Sequence, residues 1–186
     1  MFVVNASGGG ARSLATAAAG AMLHPSWSRD GQSIYFRSVR SGSSEIWKVP
    51  AAGGDAVQIT RNGADLPQVS PDGLYIYYLK PIRYPQECSV WMMPVGGGEE
   101  TMVLDSTACH PSYAVWEQGI YFFTPGDKQD RKDLSLYEGS TGRTRKIMTI
   151  EQPEAMYMAV SPDGRTILYT RTYQSASDLM LVEDFR

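Results

Sequence analysis

The sequence predicts an all-β protein assembled from repeated units of four short strands. A turn motif followed by an apolar, aromatic run occurs at 27–36, 69–78 and 160–169, and a degenerate copy lies at 113–122. The copies are about 42 to 47 residues apart, which is the length of one β-propeller blade. With 42% hydrophobic and 20% charged residues, the chain has the composition of a folded domain. We therefore expect a β-propeller of four-stranded antiparallel blades, about four to five in number, as a complete or an incomplete set.

Each of the four strands in a unit has its own signature. The first ends at Ser-Pro-Asp-Gly or a variant, where Pro presets one turn dihedral, Asp bonds the backbone and Gly accepts a positive φ. The second is rich in β-branched and aromatic residues, which suit a largely buried pleated surface. A glycine turn then leads from an aromatic third strand to the fourth. In the first full unit these segments are expected at 34–36, 45–49 and 57–60.

These repeats predict a single array rather than separate domains. Its parts are a partial blade at 1–16 with strands three and four, full blades at 22–60, 66–104 and 110–148, and a blade at 155–186 that lacks its fourth strand. Residues 12–14 could supply that missing strand and close the ring. Alternatively the chain is the carboxyl-terminal part of a longer propeller protein, which the strand count favours. An open array would be covered by missing amino-terminal blades or by a second copy as a homodimer.

Most of the recurring residues are interpreted as structural. Asp30, Asp72 and Asp163 are turn residues, since each belongs to its own hairpin. The recurring Trp27, Trp47 and Trp91 are expected to pack between neighbouring blades.

Charge and cysteine content exclude several classes of function. The net charge of -3 does not favour nucleic acid, and no apolar run is long enough for a membrane span. The opening residues do not form a secretory signal, so the sequence leaves the periplasm and the cytoplasm both open. We expect Cys88 and Cys109 to be free, partly buried thiols, because two cysteines are too few for a disulfide scaffold.

The motifs at 27–31, 34–36 and 45–50, with the glycine pairs, resemble the TolB-like β-propeller repeat family, a WD-like bacterial propeller. The resemblance covers nearly the whole chain. The ending at 177–186 is similar to that of bacterial proteins in which such a propeller follows a DNA-binding or protein-kinase domain. The resemblance implies a sensory or scaffolding propeller, periplasmic in TolB itself, with no catalytic residues to carry over.

Candidate binding residues lie in the long second-to-third loops and blade connections, because rigid scaffolds present binding residues on such loops. The alternative is an ordinary solvated loop surface. Arginine and tyrosine, which are enriched at interaction hot spots, recur there. The candidates of this long-loop face are Arg40, Lys80, Arg83, Tyr84, Arg131, Lys132, Arg171 and Tyr173. A second set, expected to ring the mouth of the central channel, is His24, Leu66, His110 and Tyr157.

The sequence therefore predicts a non-enzymatic module that binds a protein partner or senses a small ligand through the long-loop face. No nucleophile motif, phosphate loop or metal-ligand spacing is found, so no catalytic residue, cofactor or metal is expected. One alternative is the propeller gate of a serine peptidase whose hydrolase domain is absent here. Another is a carbohydrate-binding propeller that uses Tyr84, Tyr173 and the channel mouth.

Overall fold

The structure, a computed structural model, describes residues 1–14, 21–84, 87–109, 112–125, 131–151, 157–173 and 176–183. Side chains are described for these residues except 125 and 171–183. The described residues form seventeen strands and contain no helix. Accordingly, none of them belongs to a helix that could cross a membrane. The all-β fold class predicted from the repeats is confirmed.

The strands form five sheets in which neighbours along the chain are neighbours in the sheet. A two-stranded sheet consists of β1 (Phe2–Val3) and β2 (Arg12–Ser13). Three four-stranded sheets follow. The first consists of β3 (Met22–Trp27), β4 (Ser33–Ser38), β5 (Glu45–Pro50) and β6 (Val57–Gln58). The second consists of β7 (Asp65–Val69), β8 (Tyr75–Arg83), β9 (Glu87–Pro94) and β10 (Thr101–Thr107), and the third of β11 (Tyr113–Trp116), β12 (Gly119–Pro125), β13 (Arg131–Glu138) and β14 (Arg143–Glu151). The last sheet has three strands, β15 (Met158–Val160), β16 (Thr166–Tyr173) and β17 (Ala176–Glu183).

Arg12 and Ser13, in the segment that could close the ring, pair with β1. Arg12 pairs with Val3 and Ser13 with Phe2, so β2 belongs to a sheet with β1. The sheet of β15 to β17 keeps three strands. The alternative in which residues 12–14 complete the last blade is therefore not observed, and the sheets are not closed.

The chain divides into two compact units, which we describe separately. The first contains Met1–Lys80 and Trp91–Thr101, and the second contains Pro81–Val90 and Met102–Arg186.

The core of the first unit covers both faces of β4. Ile34, Tyr35 and Phe36 are all nearly fully buried although they are consecutive. Ile34 and Phe36 belong to one cluster with Val49, whereas Tyr35 points to the opposite face and packs in a cluster with Tyr78. Each such side chain contributes about 1.5–3 kcal/mol on burial. A continuous apolar run, rather than an alternating one, is what a strand covered on both faces requires.

A core cluster of the second unit is built mainly on β12, β13 and β16. Tyr121, Phe123, Leu134 and Leu136 are buried in it. The ring of Phe123 meets that of Tyr169 edge to face at 6.1 Å. This contact links β12 to β16, so two successive sheets share one apolar layer.

The Asp-Gly hairpins repeat one hydrogen-bond pattern, as expected of turn residues. Ser28 Oγ donates to Asp30 Oδ1 at 2.6 Å, and the amide of Gln32 donates to the same oxygen at 2.9 Å. These bonds lower the pKa of Asp30, with the serine bond as the largest cause. The equivalent serine-to-aspartate bonds are Ser70 to Asp72 and Ser161 to Asp163.

The expectation of two free thiols is wrong, because Cys88 and Cys109 form a disulfide. Cys88 lies on β9 and Cys109 follows β10, the neighbouring strand of the same sheet. Both are buried, and their Cα atoms are 5.0 Å apart. The hairpin between the strands brings together two cysteines that are 21 residues apart in the sequence.

Trp27 also differs from its expected role. It is 51% exposed, whereas Trp47 packs against the cluster that contains Phe36. Trp27 pairs with Ile34 on the inner strand of its sheet. Trp27 is not a member of that cluster, which Met1, Val3 and Leu14 cover.

Candidate functional site

The predicted binding residues fall into both compact units. Arg40 and Lys80 belong to the first, and Arg83, Tyr84, Arg131 and Lys132 to the second. The side chains of Arg171 and Tyr173 lie outside the described ones.

Among the described candidate residues of the long-loop face, Arg83 and Tyr84 at the end of β8 are the exposed ones. The burial of the middle of β8 is lost towards its end: Ile82 is 56% exposed, and Tyr84, which follows the strand, is 67% exposed. The side chain of Arg83 between them is 75% exposed. This segment therefore exposes an aliphatic, a cationic and an aromatic side chain at three successive positions.

Two contacts anchor this hairpin to β10. The disulfide of Cys88 ties β9 to the residue that follows β10. Glu87 accepts hydrogen bonds from Ser106 Oγ at 2.9 Å and from Arg83 Nη2 at 3.1 Å. The serine bond first and the arginine bond second lower the pKa of Glu87. These contacts tie β9, the partner strand of the exposed side chains, to its neighbour, and such restraint reduces the entropy lost on binding.

Lys80 is committed to contacts within the protein. Its Nζ lies 2.5 Å from Glu100 Oε2 and 4.3 Å from the ring centre of Trp91, and its side chain is 13% exposed. Tyr78 Oη donates to Glu100 Oε1 at 2.8 Å. Burial favours a raised pKa of Glu100, but the hydrogen bonds from Lys80 and Tyr78 hold that pKa below its ordinary value. Burial, followed by the bond to Glu100, raises the pKa of Tyr78.

Arg40 stacks on aromatic rings without forming an ion pair with any described residue. Its guanidinium carbon lies 4.8 Å from the ring centre of Trp47 and 5.4 Å from that of Phe36. Its Nε is buried and has no hydrogen-bond partner among the described residues, and the same holds for Ser38 Oγ and Trp47 Nε1.

The start of β13 carries charges that are paired along the sheet. Arg131 Nη2 lies 2.9 Å from Glu151 Oε1. Asp133 accepts from Thr149 Oγ1 at 2.6 Å, and that bond is the largest cause of its lowered pKa. Lys132 between them is half-buried.

Two residues of the predicted channel mouth share an unusual backbone conformation. His24 and Leu66 have φ angles of 52° and 53°, a region that residues other than glycine seldom adopt. Each lies at a register shift between the first and second strands of its sheet. His110 lies outside the described residues, and Tyr157, in the second unit, is exposed.

Asp65 is a member of this site that sequence reasoning missed. Its Oδ1 lies 2.8 Å from His24 Nδ1, and its Oδ2 lies 3.9 Å from Arg37 Nε. Leu66 matches His24 in the next repeat, and Asp65 directly precedes it. A carboxylate at that position is the sequence signal that could have identified Asp65. Among the described residues His24 has no hydrogen bond to a serine, threonine or cysteine side chain. The pair thus joins two neighbouring sheets but is not a nucleophile–base arrangement.

A known family matches this chain, with its repeated sheets, their turns and the register shifts between first and second strands. The model of the TolB beta propeller domain matches residues 1–156. The chain belongs to this family. A search of curated proteins finds no match.

Solved structures agree with the TolB assignment at the level of the fold. TolB from Acinetobacter baumannii superposes with a TM-score of 0.79 at 14% identity, over 98% of this chain and 45% of that protein. A protein from Agrobacterium tumefaciens described as TolB gives 0.64 at 21%, over 81% and 56%. A prolyl endopeptidase gives 0.70 at 12%, over 99% and 30%. This TolB-like chain therefore spans about half the length of the TolB structures.

Proposed function

We propose that this chain is a non-enzymatic propeller module that binds a protein partner through its long-loop face. The observation that carries the proposal is the anchored end of the β8–β9 hairpin, which exposes Ile82, Arg83 and Tyr84. Membership in the TolB beta propeller domain family supports a binding module rather than a catalytic one.

The chemistry of this segment suits a protein surface. Tyrosine and arginine are the residue types most enriched at interaction hot spots, and tyrosine buries much area while losing little rotamer freedom. The disulfide at Cys88 and the bonds of Glu87 already restrain the hairpin. A partner that covers it therefore gains apolar burial at little ordering cost.

The other predicted residues have different roles in this proposal. Arg40, Arg131, Lys132, Arg171 and Tyr173 stay proposed members of the long-loop face, whereas Lys80 stabilises its sheet through Glu100. His24, Leu66, His110 and Tyr157 are proposed to surround the channel mouth. The five-part division of the chain at 1–16, 22–60, 66–104, 110–148 and 155–186 stays part of the proposal, and so does its completion by further blades or by a second copy.

Site-specific photocrosslinking tests the proposal. A photoreactive residue at Tyr84 should crosslink one defined protein in cells that make this chain. The same residue at Thr141, in the short β13–β14 turn, should not. The adduct should disappear with Ile82→Asp combined with Arg83→Glu. Equal crosslinking from both positions, or an adduct unaffected by the substitutions, contradicts binding through this hairpin.

A peptidase-associated propeller is a second candidate. It is favoured by the superposition of 99% of this chain on the prolyl endopeptidase. That likeness concerns the fold, at 12% identity. The genomic sequence next to the coding region decides between them, because this candidate requires a hydrolase domain with a Gly-x-Ser-x-Gly motif.

A further inference from the structure

Three buried polar atoms of the first unit lack hydrogen-bond partners among the described residues: Ser38 Oγ, Arg40 Nε and Trp47 Nε1. They belong to one face of the sheet of β3 to β6, which we call the first sheet. Ser38 shares a face of β4 with Phe36, because residues two apart on a strand point the same way. Phe36 is the cross-strand neighbour of Trp47, and the guanidinium of Arg40 stacks on both rings. Buried polar groups without partners are rare, so three together require an explanation.

The sheet of β7 to β10, which we call the second sheet, repeats this arrangement. There the cation has a carboxylate partner. Lys80 Nζ lies 4.3 Å from the ring centre of Trp91 and 5.9 Å from that of Tyr78. Glu100 accepts from Lys80 at 2.5 Å and from Tyr78 at 2.8 Å. The carboxylate of Glu100 thus neutralises the Lys80 cation, which lies over two aromatic rings. The same carboxylate also accepts a hydrogen bond from Tyr78.

In the first sheet an alanine occupies the place of this carboxylate. Both sheets close the turn after the third strand in the same way, with a glycine amide bonded to the carbonyl of a proline three residues earlier. The third residue after that glycine is Ala56 in the first sheet and Glu100 in the second. Ala56 packs against the cluster that includes Trp47, as expected for the matching position. The first sheet therefore keeps the cation and the aromatic wall but has no anion at the Ala56 position. Its buried carboxylate, Glu45, lies opposite Ser38 and accepts hydrogen bonds from Thr60 and Gly63.

We propose that Arg40, with Ser38 and Trp47, binds a carboxylate group from outside the chain in the place that Glu100 fills in the second sheet. The planar guanidinium fork matches a carboxylate with two parallel hydrogen bonds. The indole N–H and the serine hydroxyl each supply one further donor. The carboxylate belongs either to an acidic side chain of a protein partner or to a small organic acid. Because Arg40 is on the long-loop face, this inference rests on the proposed function and specifies its chemistry.

Nuclear magnetic resonance of the full chain tests the site with defined probes. Acetate, and separately a short peptide with one central Asp, are titrated at constant ionic strength while the indole N–H resonance of Trp47, assigned with Trp47→Phe, is followed. We expect a saturable shift. Arg40→Gln should weaken binding at least about tenfold, which is the value of a charge-assisted hydrogen bond. Arg143→Gln, which removes an exposed arginine at the start of β14, should leave it unchanged.

A second variant keeps the test informative if Arg40→Gln unfolds. Ala56→Glu supplies the missing carboxylate internally, so it should abolish the shift and raise the melting temperature. Tighter binding of the peptide than of acetate identifies a protein source, and equal binding identifies a small acid. No saturable shift of Trp47, or unchanged binding by folded Arg40→Gln or Ala56→Glu, overturns the proposal. The probes do not involve the β8–β9 hairpin. A failed titration at Trp47 therefore leaves crosslinking at Tyr84 unaffected, and failed crosslinking leaves the titration unaffected.

Discussion

A Cβ atom on Gly119 would lie 1.8 Å from the backbone carbonyl oxygen of Tyr137. Gly119 also has a φ of 147°, which side chains rarely allow. It lies where the turn after β11 enters β12, opposite the end of β13. Backbone, rather than a flexible side chain, occupies the space, so no rotamer change can make room.

We therefore expect Gly119→Ala to lower the free energy of unfolding by at least about 3 kcal/mol. Gly139→Ala is the matched control, because a Cβ there meets nothing within 4 Å and its φ is not in the glycine region. Urea denaturation of both variants measures the difference. Equal stability of the two variants would show that β12 and β13 do not approach as described.

The second prediction concerns the disulfide. Unfolded protein should not react with a thiol reagent until reductant is added, and then both Cys88 and Cys109 should react. Replacing both with serine should lower the free energy of unfolding by about 3 kcal/mol, the usual value for a loop of this length. A thiol titration with and without reductant provides the measurement. Two reactive thiols without reductant would restore the expectation of free cysteines.

The third prediction concerns acid stability. Hydrogen bonds from Ser28, Ser70 and Ser161 lower the pKa values of the three turn aspartates below 3.8, the ordinary value. Folding therefore favours their ionised form. The stability that these ionised aspartates contribute is complete well above pH 3.8. It is lost as the pH falls through their lowered pKa values. Thermal melting between pH 6 and pH 2 should show this loss, and Asp72→Asn should reduce its slope. An unchanged slope would mean that this turn is not coupled to protonation.

The fourth prediction concerns the backbone at His24. Both His24→Gly and His24→Ala remove the contact with Asp65, but only glycine accepts a φ of 52° without strain. The glycine variant should therefore be the more stable by about 1 kcal/mol, the reverse of the usual order in a strand. Denaturant midpoints of the two variants decide this. An alanine variant that is as stable as the glycine one would argue against a left-handed conformation at this position.

The sequence alone determined the all-β class and the four-stranded unit, because both follow from local chemistry. Turns such as that of Asp30 depend on residues within two positions, and the run of Ile34 to Phe36 shows directly that both faces of its strand are covered. The same local reasoning identified the long loops that carry Arg40 and Arg83.

Contacts between strands and between sheets were decided only by the tertiary structure. Strand register joins Cys88 to Cys109. Docking of neighbouring sheets sets Asp65 against His24, and the pairing of β4 with β5 places Trp47 beside Phe36 under Arg40. Lys80 is paired by Glu100, which lies 20 residues away just before β10, whereas Ala56 occupies the matching position before β6. Side-chain chemistry is written in the sequence, but the partner of each charge is set by the register that packing selects.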